Sequence, residues 1–234
     1  MLSQLFATAC VVCGQSCANN YSICSDCESA LPRMQTSCQR CGTEQWGSAL
    51  IDISCGNCLL NPPAFNFCRS VFAYVSPIDK LVTNFKFRAQ FDSGYSLSKI
   101  LAREMQIYYS NQQKPQVLIP VPLHRNRLRI RGFNQAIEIG RVVSRQCQIP
   151  LAYSAISKIR DTTPQIELSS AQSRKTNLSN AFAVADQSLL RNVNFVAILD
   201  DVVTTMTTVA AITKVLQQHG VRRVDVWCLA RASR

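Results

Sequence analysis

The chain has 234 residues, of which 47% are hydrophobic and 17% charged, so a globular core with a small appendage is expected. No apolar run reaches the ~18 residues that a membrane-spanning helix requires, which excludes an integral helical membrane protein. The formal net charge of +11 is unevenly placed: residues 1–70 carry a net −1 and residues 71–234 a net +12. The second part is therefore the one that can attract phosphates, nucleotides or nucleic acid, unless the excess is only a solvated basic surface.

Met1 to Cys10 has the outline of an exported lipoprotein start, but it lacks a basic opening, its apolar stretch is short, and Ala7 stands where a lipid-attachment site wants Leu. A cytoplasmic location is expected. Ten of the 12 cysteines fall before position 70, and eight of them form four Cys-x-x-Cys knuckles: Cys10/Cys13, Cys24/Cys27, Cys38/Cys41 and Cys55/Cys58. Such a knuckle turns two thiolates to one side, and two knuckles complete a tetrahedral zinc site. A disulfide framework is the competing reading, and a reducing compartment disfavours it. The simplest partition is sequential, with Cys10, Cys13, Cys24 and Cys27 on one ion and Cys38, Cys41, Cys55 and Cys58 on the other; an interleaved partition stays open. Four sulfurs per ion leave no water position, so both zincs are expected to be structural.

After Asn61-Pro62-Pro63 the pattern changes, and the chain divides into a zinc-binding module with two four-cysteine sites over 1–65 and a second domain over 66–234. Arg69 to Val75 reads as a strand. A helix starting at Pro77 runs through Leu81, Val82 and Phe85, and another covers Tyr95 to Tyr109. Gln116 to Val121 is a buried strand bounded by prolines. Residues 134–147 carry helical periodicity, Leu151 to Ile156 reads as a strand, and 157–180 as a long polar loop with a short helix. Phe195 to Leu199 is a strand, Thr207 to His219 a helix ended by Gly220, and Val224 to Leu229 a last strand. Strands alternating with helices imply an α/β fold with a mostly parallel sheet covered on both faces.

The most informative segment runs from Val196 to Thr208. An apolar strand ends in Asp200 and Asp201, and four hydroxyl residues, Thr204, Thr205, Thr207 and Thr208, lead with Met206 into a helix. Backbone N–H groups at a helix start favour an anion, and the carboxylates can accept hydrogen bonds from paired ribose hydroxyls. Arg125, Arg127, Arg129 and Arg131 follow a buried strand at alternate positions. Extended, they would share one face; curled, they would ring an anion. Either suits pyrophosphate or a nucleic-acid backbone. Phe133 can stack on a base or staple the following helix, and the staple is the expected role. Neither His124 nor His219 shows a metal or base partner in the sequence, and His219 is expected to cap its helix.

The segment from Asp200 to Thr208 resembles the phosphoribosyl-pyrophosphate loop of type I phosphoribosyltransferases. The whole chain resembles the ComF family of competence-associated proteins, which join a cysteine zinc module to such a domain. The likeness includes Phe85-Lys86-Phe87, Val121 to His124, Arg131 to Gln135, Thr162 to Gln165, and Arg174 with Asn177. It implies that Asp200 and Asp201 hold the ribose hydroxyls and that the four threonines cradle the 5′-phosphate. The family usually has Gly at the position of Met206, where Gly allows positive φ and a close backbone approach. The resemblance further implies pyrophosphate contact by the arginine-rich loop. It also implies a hood from Lys158 to Asn177, with Lys158, Arg160, Gln165 and Arg174 as candidate contacts. The function it implies is handling of single-stranded DNA during natural transformation, beside the cytoplasmic face of the import machinery. Phosphoribosyl pyrophosphate with Mg²⁺ would be the small ligand. The alternatives are an active transferase acting on a nucleobase and an adaptor built from the zinc module. No catalytic residue can be named.

Overall fold

The computed structural model describes residues 8–17, 21–45, 54–161 and 180–232. Thr8–Ala9 (β1) and Ser16–Cys17 (β2) pair antiparallel around the first knuckle. Ser25–Ala30 (α1) starts inside the second, with the Cys24 thiol accepting the Cys27 N–H as its cap. Gly56–Leu60 (α2) starts inside the fourth, directly after Cys55. Beyond the knuckles the order is Phe67–Ala73 (β3), Ile78–Arg88 (α3), Phe91–Tyr108 (α4), Val117–Pro120 (β4), Arg125–Arg131 (α5) and Gln135–Cys147 (α6). Ile156–Lys158 (β5), Phe182–Val184 (β6), Phe195–Val203 (β7), Thr207–Gln218 (α7) and Arg223–Arg231 (β8) complete it.

The main sheet has the order β3-β8-β7-β4, and every pairing in it is parallel. Side chains alternate across the sheet with the period of two that a strand imposes. Phe195, Ala197 and Leu199 of β7, with Trp227 and Leu229 of β8, enter the core shared with α3, α4 and α6. Val196 and Ile198, with Val224, Val226 and Cys228, enter the opposite core with Val209, Ile212 and Leu216 of α7. Burial on both faces is why these strands read as uninterrupted apolar runs.

The cysteine knuckles are packed onto this layer. Ile23 and Leu31 belong to the core over α4, and the Ser22 N–H donates to Ser96 Oγ at 3.0 Å. Glu28 pairs with Arg33 at 3.2 Å and with Arg103, while Arg33 reaches Glu104 at 2.8 Å. Residues 32–34 run antiparallel along β3: the Ala73 N–H donates to Pro32 O and the Met34 N–H to Val71 O. This stretch covers an edge that would otherwise present unpaired backbone groups.

The α/β class and the parallel sheet are as the sequence reads, with four local differences. Leu151 contributes only a bridge to Leu118, and the chain turns at Tyr153–Ser154, so the strand expected over 151–156 falls on β5 instead. β5 pairs antiparallel with β6, a short strand that follows the polar stretch. The arginine segment forms the helix α5, neither extended nor an irregular ring. β7 continues through Asp200 and Asp201 to Val203 rather than ending before them. Residues 162–179, most of the expected hood, lie outside the described residues, and Arg174, Gln165 and Asn177 lie with them.

Candidate functional site

The eight knuckle cysteines gather in the sequential partition. The sulfurs of Cys10, Cys13, Cys24 and Cys27 lie within 4.8 Å of one another, and so do those of Cys38, Cys41, Cys55 and Cys58. Cys13 and Cys24 Sγ are 3.9 Å apart, and Cys41 and Cys55 Sγ 3.7 Å. A zinc tetrahedron with bonds of ~2.3 Å has edges of about 3.8 Å, so the spacing fits the ion. No cysteine is disulfide-bonded. Burial raises the thiols of Cys10 and Cys38, but backbone N–H groups, among them those of Cys24 and Cys55 at 3.4 and 3.2 Å, bring them down to about 6 and about 7. Thiolates are what zinc binds. Both sites are closed by four sulfurs and suit structural zinc.

At the end of β7 the loop Thr204–Met206 leads into α7. The Thr205 and Thr207 hydroxyls are hydrogen-bonded at 2.7 Å. Met206 sits at the N-cap with φ 62 and ψ 0, and its side chain offers no cap hydrogen bond. The positive φ occurs at the position where the likeness to ComF proteins expects Gly. A 12-residue helix that starts without a side-chain cap presents first-turn N–H groups and the positive end of its dipole to this loop.

Asp201 is buried and takes the Lys86 Nζ of α3 at 2.7 Å, while its Oδ1 accepts the Val202 N–H. Burial disfavours the Lys86 ammonium, but Asp201 and then Asp200 reverse the effect and raise it. Asp200 keeps some exposure, and desolvation followed by repulsion from Asp201 pushes its carboxyl up to about 8. Lys86, which stands in the family likeness within Phe85-Lys86-Phe87 but without a role, is a cation of the site, between Phe85, which is buried, and Phe87, which is exposed.

The helix α5 sorts its arginines into two pairs, because residues two apart on a helix diverge and residues four apart align. Arg127 and Arg131 are half-buried, and Arg131 feels the charges of Asp201, Arg127 and Asp200. Lys158 joins them: burial and then Arg127 lower its ammonium to about 8. Arg125 and Arg129, with Arg160, are exposed. The predicted phosphate contacts thus split between an inner group, Arg127, Arg131 and Lys158, and an outer group. Phe133 packs on Phe85 of α3 and Phe91 of α4 at centroid distances of 5.5 and 4.8 Å, an aromatic cluster between helices rather than the expected staple on α6. His124 lies 3.3 Å from Asp161, a partner the sequence did not indicate, and His219 Nδ1 lies 2.8 Å from Val215 O at the end of α7.

Residues 1–59 match the family model described as a double zinc ribbon domain. Competence protein F of Haemophilus influenzae is 34% identical over 212 residues, covering 90% of this chain and 90% of the relative. The DNA utilization protein YhgH of Escherichia coli K12 is 34% identical over 216 residues, covering 91% of each. Among solved structures, a hypoxanthine phosphoribosyltransferase of Staphylococcus aureus is 15% identical, with a TM-score of 0.35, covering 58% of this chain and 64% of that one.

Proposed function

Because this chain belongs to the competence protein F family, we propose that it handles incoming single-stranded DNA in the cytoplasm during natural transformation and holds a ribose phosphate at Asp200–Thr208. Phosphoribosyl pyrophosphate with Mg²⁺ is the expected ligand. One observation carries the reading: carboxylates, hydroxyls and an uncapped helix start meet at the end of one strand, with Lys86, Arg127 and Arg131 around them. Carboxylates suit the ribose diol and helix N–H groups suit the phosphate, so the two halves of a ribose phosphate find complementary chemistry side by side.

In this reading the chain divides into the zinc module, 1–65, and the ligand domain, 66–234. Asp200 and Asp201 take the ribose hydroxyls. Thr204, Thr205, Thr207 and Thr208 take the 5′-phosphate. Arg127, Arg131 and Lys158 face the pyrophosphate, whose charge Mg²⁺ neutralises when bound. Arg125, Arg129 and Arg160 offer outward cations to a DNA backbone. Arg174 keeps its expected ligand contact, and the cytoplasmic side of the import machinery is the expected partner.

The test is fluorescence anisotropy of a labelled single-stranded oligonucleotide over a salt series, with and without phosphoribosyl pyrophosphate and Mg²⁺. Log affinity should fall linearly with log salt, by about 0.7 per phosphate contact. Absence of binding at low salt would overturn the DNA reading. A second reading, a Mg²⁺-dependent phosphoribosyltransferase acting on a nucleobase, is favoured by Asp200, a carboxyl that can hold a proton near neutrality and so do acid–base work. Pyrophosphate release on adding base acceptors distinguishes it.

A further inference from the structure

We propose that the second four-cysteine site forms the outer wall of the phosphate loop, and that Arg231 and Met206 are positioning residues through which zinc bound there sets ribose-phosphate binding. The proposal rests on the ribose-phosphate reading above.

A cleft of about 300 Å³ lies between the two elements, lined on one side by Cys41, Thr43, Cys55 and Asn57 and on the other by Thr204–Thr207 with Arg231. Arg231, the last residue of β8, is 5% exposed, and among the described residues no carboxylate pairs with it. A buried charge must be compensated, and here the partners come from both walls. Nε donates to Cys41 O at 3.1 Å and Nη2 to Thr43 Oγ1 at 3.1 Å. Nη1 donates to Val203 O at 2.9 Å, Ala232 O at 2.8 Å and Thr204 O. One guanidinium thus holds the backbone of a zinc ligand and the backbone of the phosphate loop at fixed separation.

Met206 makes the second link. Its φ of 62 lies where side-chain-bearing residues rarely go, and its side chain packs against the cluster of Cys38, Cys41, Cys55 and Cys58. The cluster is itself fixed to the sheet: a Cβ on Gly42 would stand 2.8 Å from Cys68 O of β3. Each link depends on the third and fourth knuckles holding their shape, which is what a zinc ion there secures. The first site has no such role, since its neighbours Ile23 and Leu31 pack over α4 and, among the described residues, none of its ligands lines the cleft.

Coupling between two sites is reciprocal in affinity, so a ligand in the loop must tighten zinc at the second site, and slower loss of that ion is its readout. Full-length zinc-loaded protein is mixed with a chromogenic chelator, and release of its two zincs is followed with and without phosphoribosyl pyrophosphate and Mg²⁺, whose binding is measured separately by calorimetry. The expected result is that ligand slows one of the two release phases by at least about fivefold and leaves the other within about twofold. In Arg231→Gln, loaded with two zincs by metal analysis, the difference should vanish. Thr43→Val, which removes the Nη2 acceptor and the 3.2 Å contact of Thr43 Oγ1 with Cys41 Sγ, should reduce the ligand-dependent difference, whatever it does to release without ligand, and serves if Arg231→Gln does not fold. Binding heat with unchanged release, equal slowing of both phases, or a variant that retains the full effect would overturn the coupling alone. No binding heat would overturn the ribose-phosphate reading and this proposal together.

Discussion

Met206 adopts a left-handed φ that costs a residue with a side chain about 1 kcal/mol relative to glycine. Its contact with the cysteine cluster offsets a comparable amount through buried apolar area. Met206→Gly is therefore expected to leave the unfolding free energy within about 1 kcal/mol of the parent, whereas Met206→Ala keeps the strain, loses the packing and drops it by about 1–2 kcal/mol. Chemical denaturation measures both, and an Ala variant more stable than the Gly variant contradicts the strain. Asp200 stores a different cost. Burial, then repulsion from Asp201, raises its folded-state carboxyl to about 8, so between the ordinary carboxylate range and pH 8 the folded chain binds a proton that the unfolded chain has lost. That contribution to stability is complete at low pH and disappears as pH rises through about 8. Asp200→Asn should then melt ~2–4 °C above the parent at pH 8, with the gap closing toward pH 5 in thermal scans.

The helix α5 turns a run of alternate arginines into two functions. Arg125 and Arg129 are exposed, while Arg127 and Arg131 turn toward Lys158 and the Asp200–Asp201 pair. Replacing Arg125 and Arg129 by Ala should reduce the salt slope of single-strand binding by about 1.4, for two lost phosphate contacts, and leave calorimetric phosphoribosyl pyrophosphate binding unchanged. Replacing Arg127 and Arg131 should weaken the small ligand instead, and equal effects from the two pairs would refute the division. The sequence did not disclose this helix. Arg125 to Arg131 has apolar residues only at Leu128 and Ile130, both exposed, so no buried stripe betrays the period. The long elements were legible for the opposite reason: Phe195 to Leu199 and the helix through Ile139 and Val143 are buried, and burial writes periodicity into sequence. β5 and β6 have three residues each and pair across a polar stretch, which leaves no run to read.

Across the whole molecule the zinc module and the sheet share one core, since Ile23 and Leu31 lie with Trp227 and Leu229. Metal analysis should return close to two ions per chain, as two sets of four cysteines require. Stripping zinc with a chelator under reducing conditions should lower the melting temperature of the sheet itself, seen in circular dichroism as one shifted transition. Two separate transitions, with the later one unmoved, would show that the module is thermodynamically independent. The cysteine sets and the loop were legible because each is a local pattern. What joins them was hidden: Lys86 meets Asp201 across 115 positions, and Arg231 meets Cys41 across 190. Arg231 stands at the end of an apolar strand and reads in isolation as a strand terminus.

That strand also fixes the order in which the molecule can be made. Among the described residues β3 has β8 as its one neighbour in the main sheet, and β8 in turn flanks β7. Phe67–Ala73, paired on its other side by residues 32–34, must therefore wait for Arg223–Arg231 to join the main sheet, and the phosphate loop waits for the same residues to supply Arg231. A chain lacking Arg223–Arg231 would keep both four-cysteine sets and every loop threonine, and β4 could still pair with β7, yet β3 and the stretch paired along it would be cut off from that pair. The joining of the two parts of the molecule is thereby vested in β8.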